Sequence, residues 1–157
     1  MAVEKMRNTE NFYQTVNFHF RVEFERESQA LDIHFQSVSG LDSTLETETI
    51  KEGGENRFEH VIPVRRKFGP LILKRGLLTP GESGITKWFK EVFDHQVVTP
   101  IPTVNIKLLN EEHEVLMQWT VNNVWPRSWK IGELNAERGE VLIETLEMNY
   151  NYLVLTE

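Results

Sequence analysis

The residues of this chain that could do chemistry are few and scattered. Five histidines, His19, His34, His60, His95 and His113, are its candidate acid–base or metal-binding groups. None pairs with another at helical i, i+4 spacing, and there is no HExxH zinc motif. The aspartates Asp32, Asp42 and Asp94 are far apart in sequence. Gly53-Gly54 lacks the following helix and lysine of a phosphate loop, and no GxSxG nucleophile elbow is present. Cysteine is absent, which removes disulfides, thiolate nucleophiles and cysteine metal sites together. The expectation is a protein with no catalytic site, no bound metal and no cofactor.

Four tryptophans offer a different chemistry, a stacking platform for sugars or bases. Trp88 falls in a helical apolar stripe and Trp119 in a strand stripe, so both read as core. Trp125 and Trp129 flank Pro126 at an expected turn. They clamp that turn or sit at a subunit contact, where tryptophan is enriched.

The elements that must position these residues follow from periodicity. Val16, Phe18, Phe20, Val22 and Phe24 alternate with polar residues over 16–25, a half-buried strand. A second strand is expected at 31–38, with Leu31, Ile33 and Phe35 on one face, and Gly40 ends it. Residues 42–51 and 58–65 read as a hairpin turned at Gly53-Gly54, its first strand polar on both faces. Pro63 implies an edge or a bulge. Further strands are expected at 71–75, 103–109, 114–125 and 140–153, the last with Leu142, Leu146, Met148, Tyr150 and Tyr152 in register. Ile85, Trp88, Phe89, Val92 and Phe93 form one face of a helix over 84–95, capped by Ser83 and stopped by Pro100 and Pro102. Lys87, Lys90, Glu91 and Asp94 lie off that stripe and face solvent. The fold class is mainly β: an antiparallel β-sandwich or barrel of about seven strands with one short outer α-helix, in a single domain over 1–157.

At 157 residues, 39% hydrophobic and 26% charged, the chain can bury a real core. A net charge of −7 disfavours nucleic-acid binding. No apolar run is long enough to span a bilayer, and the N-terminus lacks a secretory signal pattern, so synthesis in the cytoplasm is expected.

Charge placement is uneven. Asp42, Glu46, Glu48, Glu52, Glu55 and Glu59 stand against Lys51 and Arg57 in the hairpin, while Arg65, Arg66, Lys67, Lys74 and Arg75 form a basic block without acids. In a monomer this is surface patterning; in an oligomer such opposite patches meet between copies and set register.

An ordered set of segments carries a resemblance. They are FHFRVEF from Phe18, VSGLDS from Val38, VRRKFGPLILKRGL from Val64 to Leu77, ITKWFKEV from Ile85, and Trp-Pro, Trp-Lys, Leu-Asn-Ala and ETLE between Trp125 and Glu147. Together these resemble the tail-tube proteins of contractile phages and phage-tail-like contractile injection systems. The resemblance implies hexameric rings, closed edge to edge around a lumen and stacked into a tube inside a contractile sheath. It implies that the hairpin Ser43 to Glu59 reaches the next ring. Glu46, Glu48, Lys51, Glu52, Glu55, Arg57, Arg65, Arg66 and Lys67 are then ring-stacking candidates. Lys87, Lys90, Glu91 and Asp94 form the sheath-facing side of the helix. The implied partners are further copies of the chain, sheath protein, baseplate and tube-cap proteins, and cargo in the lumen. Two rivals remain at this level: a tube-initiating baseplate protein of the same fold, and a small-molecule-binding β-barrel lined by aromatics. A cupin-like enzyme would need clustered His and Glu ligands, which the scattered histidines do not supply.

Overall fold

A computed structural model describes residues 19–26, 29–31, 34–54 and 57–156. Ten strands and one helix follow in the order β1 (Phe20–Arg26), β2 (Gln29–Leu31), β3 (Ser37–Ser39), β4 (Ser43–Ile50), β5 (His60–Phe68), β6 (Leu71–Gly76), α1 (Gly84–His95), β7 (Ile101–Leu109), β8 (Val115–Ile131), β9 (Ile143–Asn149) and β10 (Tyr152–Thr156). The main sheet path is β2-β1-β7-β8-β9-β6-β3, with β10 added on β8. Every pairing is antiparallel, so the mainly β architecture is as expected.

The 17-residue β8 organises the fold. Its first half pairs with β7 on one side and β10 on the other; its second half pairs with β9. The sheet therefore folds over on β8, and both halves face one core. Val22, Phe24, Val104, Ile106 and Val121 from one half meet Leu71, Leu73, Leu146 and Met148 from the other. Helix α1 adds Ile85, Trp88, Phe89 and Val92. The buried Trp88 ring is fixed at its polar end, Nε1 donating to the Thr99 carbonyl at 2.7 Å.

Several boundaries differ from the expectation, each for a local reason. The strand expected at 114–125 does not turn at Trp125-Pro126 but runs on to Ile131. A register shift between Pro126 and Ser128 places the proline at a bulge, where proline is tolerated within a sheet. The strand expected at 140–153 is broken after Asn149 into β9 and β10, though both pieces lie along β8. In place of a strand at 31–38 there are two short ones, β2 and β3. Val16, Phe18 and Ile33 lie outside the described residues; within β1 the alternation holds, with Val22 and Phe24 buried and Arg21 and Glu25 exposed.

Helix α1 begins at Gly84, with the Ser83 hydroxyl accepting from the Thr86 backbone N–H, an N-cap. Gln96 closes it in the left-handed region, φ 54°. The apolar stripe is shorter than expected: Phe93 is 42% exposed, and Thr86 takes a buried place instead. The ring at 93 reaches past the edge of the covered face, its centroid 6.1 Å from that of Phe89.

Candidate assembly surfaces

Strands β4 and β5 form a two-stranded sheet of their own. Its root is rigidly seated. Gly40 has φ +86°, and a Cβ there would fall 1.8 Å from the Pro70 carbonyl oxygen. Only glycine fits such a backbone approach. The Tyr150 hydroxyl donates to the Gly40 carbonyl at 3.3 Å, and its ring packs on Phe68 at 5.6 Å. Burial, then the nearby Asp42 charge, pushes the Tyr150 phenol above its ordinary range.

Beyond the root the arm is exposed almost throughout. Its register pairs Glu46 with Arg65 and Thr47 with Pro63, leaving Val64 in a bulge. Proline and bulge thus coincide, as Pro63 implied. Opposed residues share a face of a two-stranded sheet. One face carries Leu45, Thr47, Thr49, Val61 and Pro63, with Arg66 at the root; the other carries Glu46, Glu48, Ile50, His60, Ile62, Arg65 and Lys67. The charges of the second face close on one another. Arg65 Nε donates to Glu46 Oε2 at 2.5 Å, and Lys67 lies 3.4 Å from Glu46 Oε1. The hydrogen bond from Arg65 holds the Glu46 carboxyl below its usual range. Arg66 donates to the Ser43 hydroxyl at 2.7 Å and stands over the Phe68 ring at 4.8 Å. Towards the tip, Lys51 meets Glu59 at 3.2 Å and His60 meets Glu52 at 3.4 Å. Glu48 and Arg57 are exposed, and Glu55 lies outside the described residues. The hairpin is less hydrophilic than its first strand suggested. Leu45, Ile50, Phe58, Val61, Ile62 and Val64 all stand exposed on it.

The helix presents Lys87, Lys90 and Asp94 to solvent, with Glu91 half-buried. Lys90 and Asp94 pair at i, i+4. The N-terminus of the helix is tied to the sheets by a network that sequence reasoning missed. Arg75 and Glu144 are 4% and 0% exposed, and Arg75 Nε donates to Glu144 Oε1 at 2.6 Å. Arg75 also donates to the Ser83 and Thr86 hydroxyls at 2.5 and 2.8 Å, and Trp129 Nε1 donates to Glu144 Oε2 at 3.0 Å. Arg75 therefore does not belong to the exposed basic block in which the sequence placed it. Its neighbours Leu71 and Leu73 supply the signal, because position 75 continues their inward face. Glu144 likewise continues the inward series of Leu146 and Met148.

Of the five histidines, His19 and His113 come together, edge to face at 4.4 Å. Among the described residues no group of three or more His, Asp and Glu could hold a metal ion. An open groove of about 510 Å³ lies where β1, β7 and β8 meet the β3 segment, lined by Phe20, Val38, Leu41, Ile106, Leu108 and Trp119, with Gln36 and Ser37 as its polar margin. No described helix is long and apolar enough to cross a membrane.

This architecture, a closed-over antiparallel sheet with one helix and a projecting arm, is shared with tube-assembly proteins. A chain in the cryo-EM structure of the anti-feeding prophage (AFP) baseplate, six-fold symmetrised, is 33% identical, with 92% of this chain and 96% of that one covered and a TM-score of 0.84. A chain in the sheath/tube terminator of an extracellular contractile injection system, PVC, in its extended state is 24% identical (92% and 98% covered, TM-score 0.77). One in the AFP tube terminating cap is 22% identical (99% and 99%, TM-score 0.78). The last two show the fold. No curated protein sequence matches the chain. The model of the T4-like virus tail tube protein gp19 family matches residues 16–154, and the chain belongs to that family. It is a structural subunit of a contractile injection system or phage tail tube.

Proposed function

We propose that the chain forms hexameric rings that stack into the inner tube of a contractile particle, within a sheath and between a baseplate and a cap, around a lumen able to hold cargo. The observation that carries this is the 33% identity over 92% of the chain to a protein solved in a six-fold symmetrised assembly. The arm is the ring-stacking element, with Glu48, Lys51, Glu52, Arg57 and Arg66 on its surface and Glu46, Arg65 and Lys67 bracing it; Glu55, outside the described residues, is assigned to the same contact from the sequence. Lys87, Lys90, Glu91 and Asp94 are the sheath-facing side of α1. The protein is made in the cytoplasm and acts in the assembled particle, without catalysis of its own.

The test is assembly of purified protein with a baseplate seed, followed by light scattering and negative-stain electron microscopy. Six-fold rings or tubes are expected; scattering that stays monomeric with the seed present overturns the reading. A second reading, a tube initiator at the baseplate, is favoured by one fact. The relative at 33% identity comes from a baseplate, whereas the terminator and cap chains stand at 24% and 22%. Copy number per particle separates the two: many rings for a main tube subunit, a single ring for an initiator.

A further inference from the structure

The arm was expected to dock through its charges, yet the structure points elsewhere. On the charged face Glu46 is engaged by Arg65 and Lys67 of the same arm, and near the tip Glu59 is paired with Lys51. Charges already neutralised within the hairpin gain little from a further partner in water. The other face carries no ionisable residue between the Lys51–Glu59 pair and Arg66. There Leu45 is 62% and Val61 61% exposed, with Thr47, Thr49 and Pro63 between them. Exposed apolar surface rimmed by polar groups marks a contact site.

A groove among the described residues matches it. The groove of Phe20, Val38, Leu41, Ile106, Leu108 and Trp119 is apolar, and its margin, Gln36 and Ser37, is uncharged. Leu41 stands beside the root of the chain's own arm, which pairs only within itself. The six-fold symmetrised assembly of the relative at 33% identity points to a second copy as the source of what fills the groove. We infer that the uncharged Leu45–Val61 face of the arm seats in this groove of a second copy, and that Glu46, Arg65 and Lys67 act only as a clasp keeping the arm straight. This rests on the tube-subunit reading and specifies the chemistry of its stacking contact: apolar, and insensitive to salt.

The absence of cysteine makes a clean test possible. Full-length chain carrying both Val61→Cys and Val38→Cys is assembled on the seed, oxidised mildly and run on a non-reducing gel. A covalent ladder extending beyond the dimer is expected from assembled material. It should be undiminished at about 1 M salt, where the Debye length is about 3 Å. In parallel, Leu45→Asp and Val61→Asp should leave monomer circular dichroism unchanged and stop elongation. Tubes that form without a ladder overturn the inference and spare the tube reading, as do Asp variants that elongate to normal length. So does an intramolecular cross-link from a groove cysteine in the monomer, which would show the groove filled by its own chain. Wild-type protein that never assembles sinks both.

Discussion

Arg75 and Glu144 meet at 2.6 Å in the interior of the protein, one on β6 and the other on the neighbouring strand β9. The pair does more than neutralise two charges. Arg75 also holds both hydroxyls at the start of α1, and Glu144 holds the indole of Trp129. Helix, β6, β8 and β9 are thus fixed at one point.

Removing one partner leaves a buried charge without its counterion, which costs about 3–5 kcal/mol. Glu144→Leu and Arg75→Met should each lower the melting temperature strongly. The double change Arg75→Met with Glu144→Leu should be more stable than either single variant. A thermal-denaturation cycle measures this; additive losses would show that the two residues act separately.

Trp88→Ala should destabilise by about 3–5 kcal/mol, the range for truncating a buried aromatic, because the ring is fully buried and its N–H is paired. Phe93→Ala should cost far less, since that ring is 42% exposed. Equal losses in urea unfolding would contradict the burial order.

Much of this was legible in the sequence, and the exceptions have physical causes. The helix showed itself because its stripe and its Ser83 cap are local signals. Pro63 announced a bulge, since a missing N–H must sit where no ladder bond is required. Pro126 obeyed the same rule, yet the flanking tryptophans made it resemble a turn; nothing local says whether a proline ends a strand or bends it. Arg75 reads as part of a surface basic block because a single sequence does not show its partner Glu144, 69 positions away. The arm looked hydrophilic because its first strand is; the apolar face emerges only when Leu45 and Val61 are brought to the same side by the register.

Gly40→Ala should fail at the arm root. A side chain at positive φ costs about 1–3 kcal/mol, and here the added carbon also overlaps the Pro70 carbonyl. For a chain of this size each kcal/mol lowers the melting temperature by about 2–4 °C. An unchanged melt would mean that the root rearranges freely.

Tyr150 should titrate above its ordinary value of 10.0. The phenol is raised in the folded state, so its contribution to stability is complete below pH 10 and fades as pH rises through the folded value. Absorbance at alkaline pH should show a late-ionising tyrosine in the wild type that Tyr150→Phe lacks. The same late component persisting in the variant would assign it elsewhere.

Reversing charge at Lys87 and Lys90 should leave the unfolding free energy within about 0.5 kcal/mol of wild type, as for exposed substitutions generally, and should weaken co-sedimentation with sheath protein. Unaltered sheath binding would place that contact on another surface.

The long strand β8 has a mechanical consequence. At about 3.3 Å per residue, its 17 residues give a single covalent thread that passes from one half of the core to the other. A load applied along it is carried by peptide bonds and by rows of hydrogen bonds sheared in parallel, not by an interface that can peel open. The subunit should therefore yield first at its periphery and last along this thread. Amides in the middle of β8, around Val121 and Val124, should be the slowest in the molecule to exchange their hydrogens.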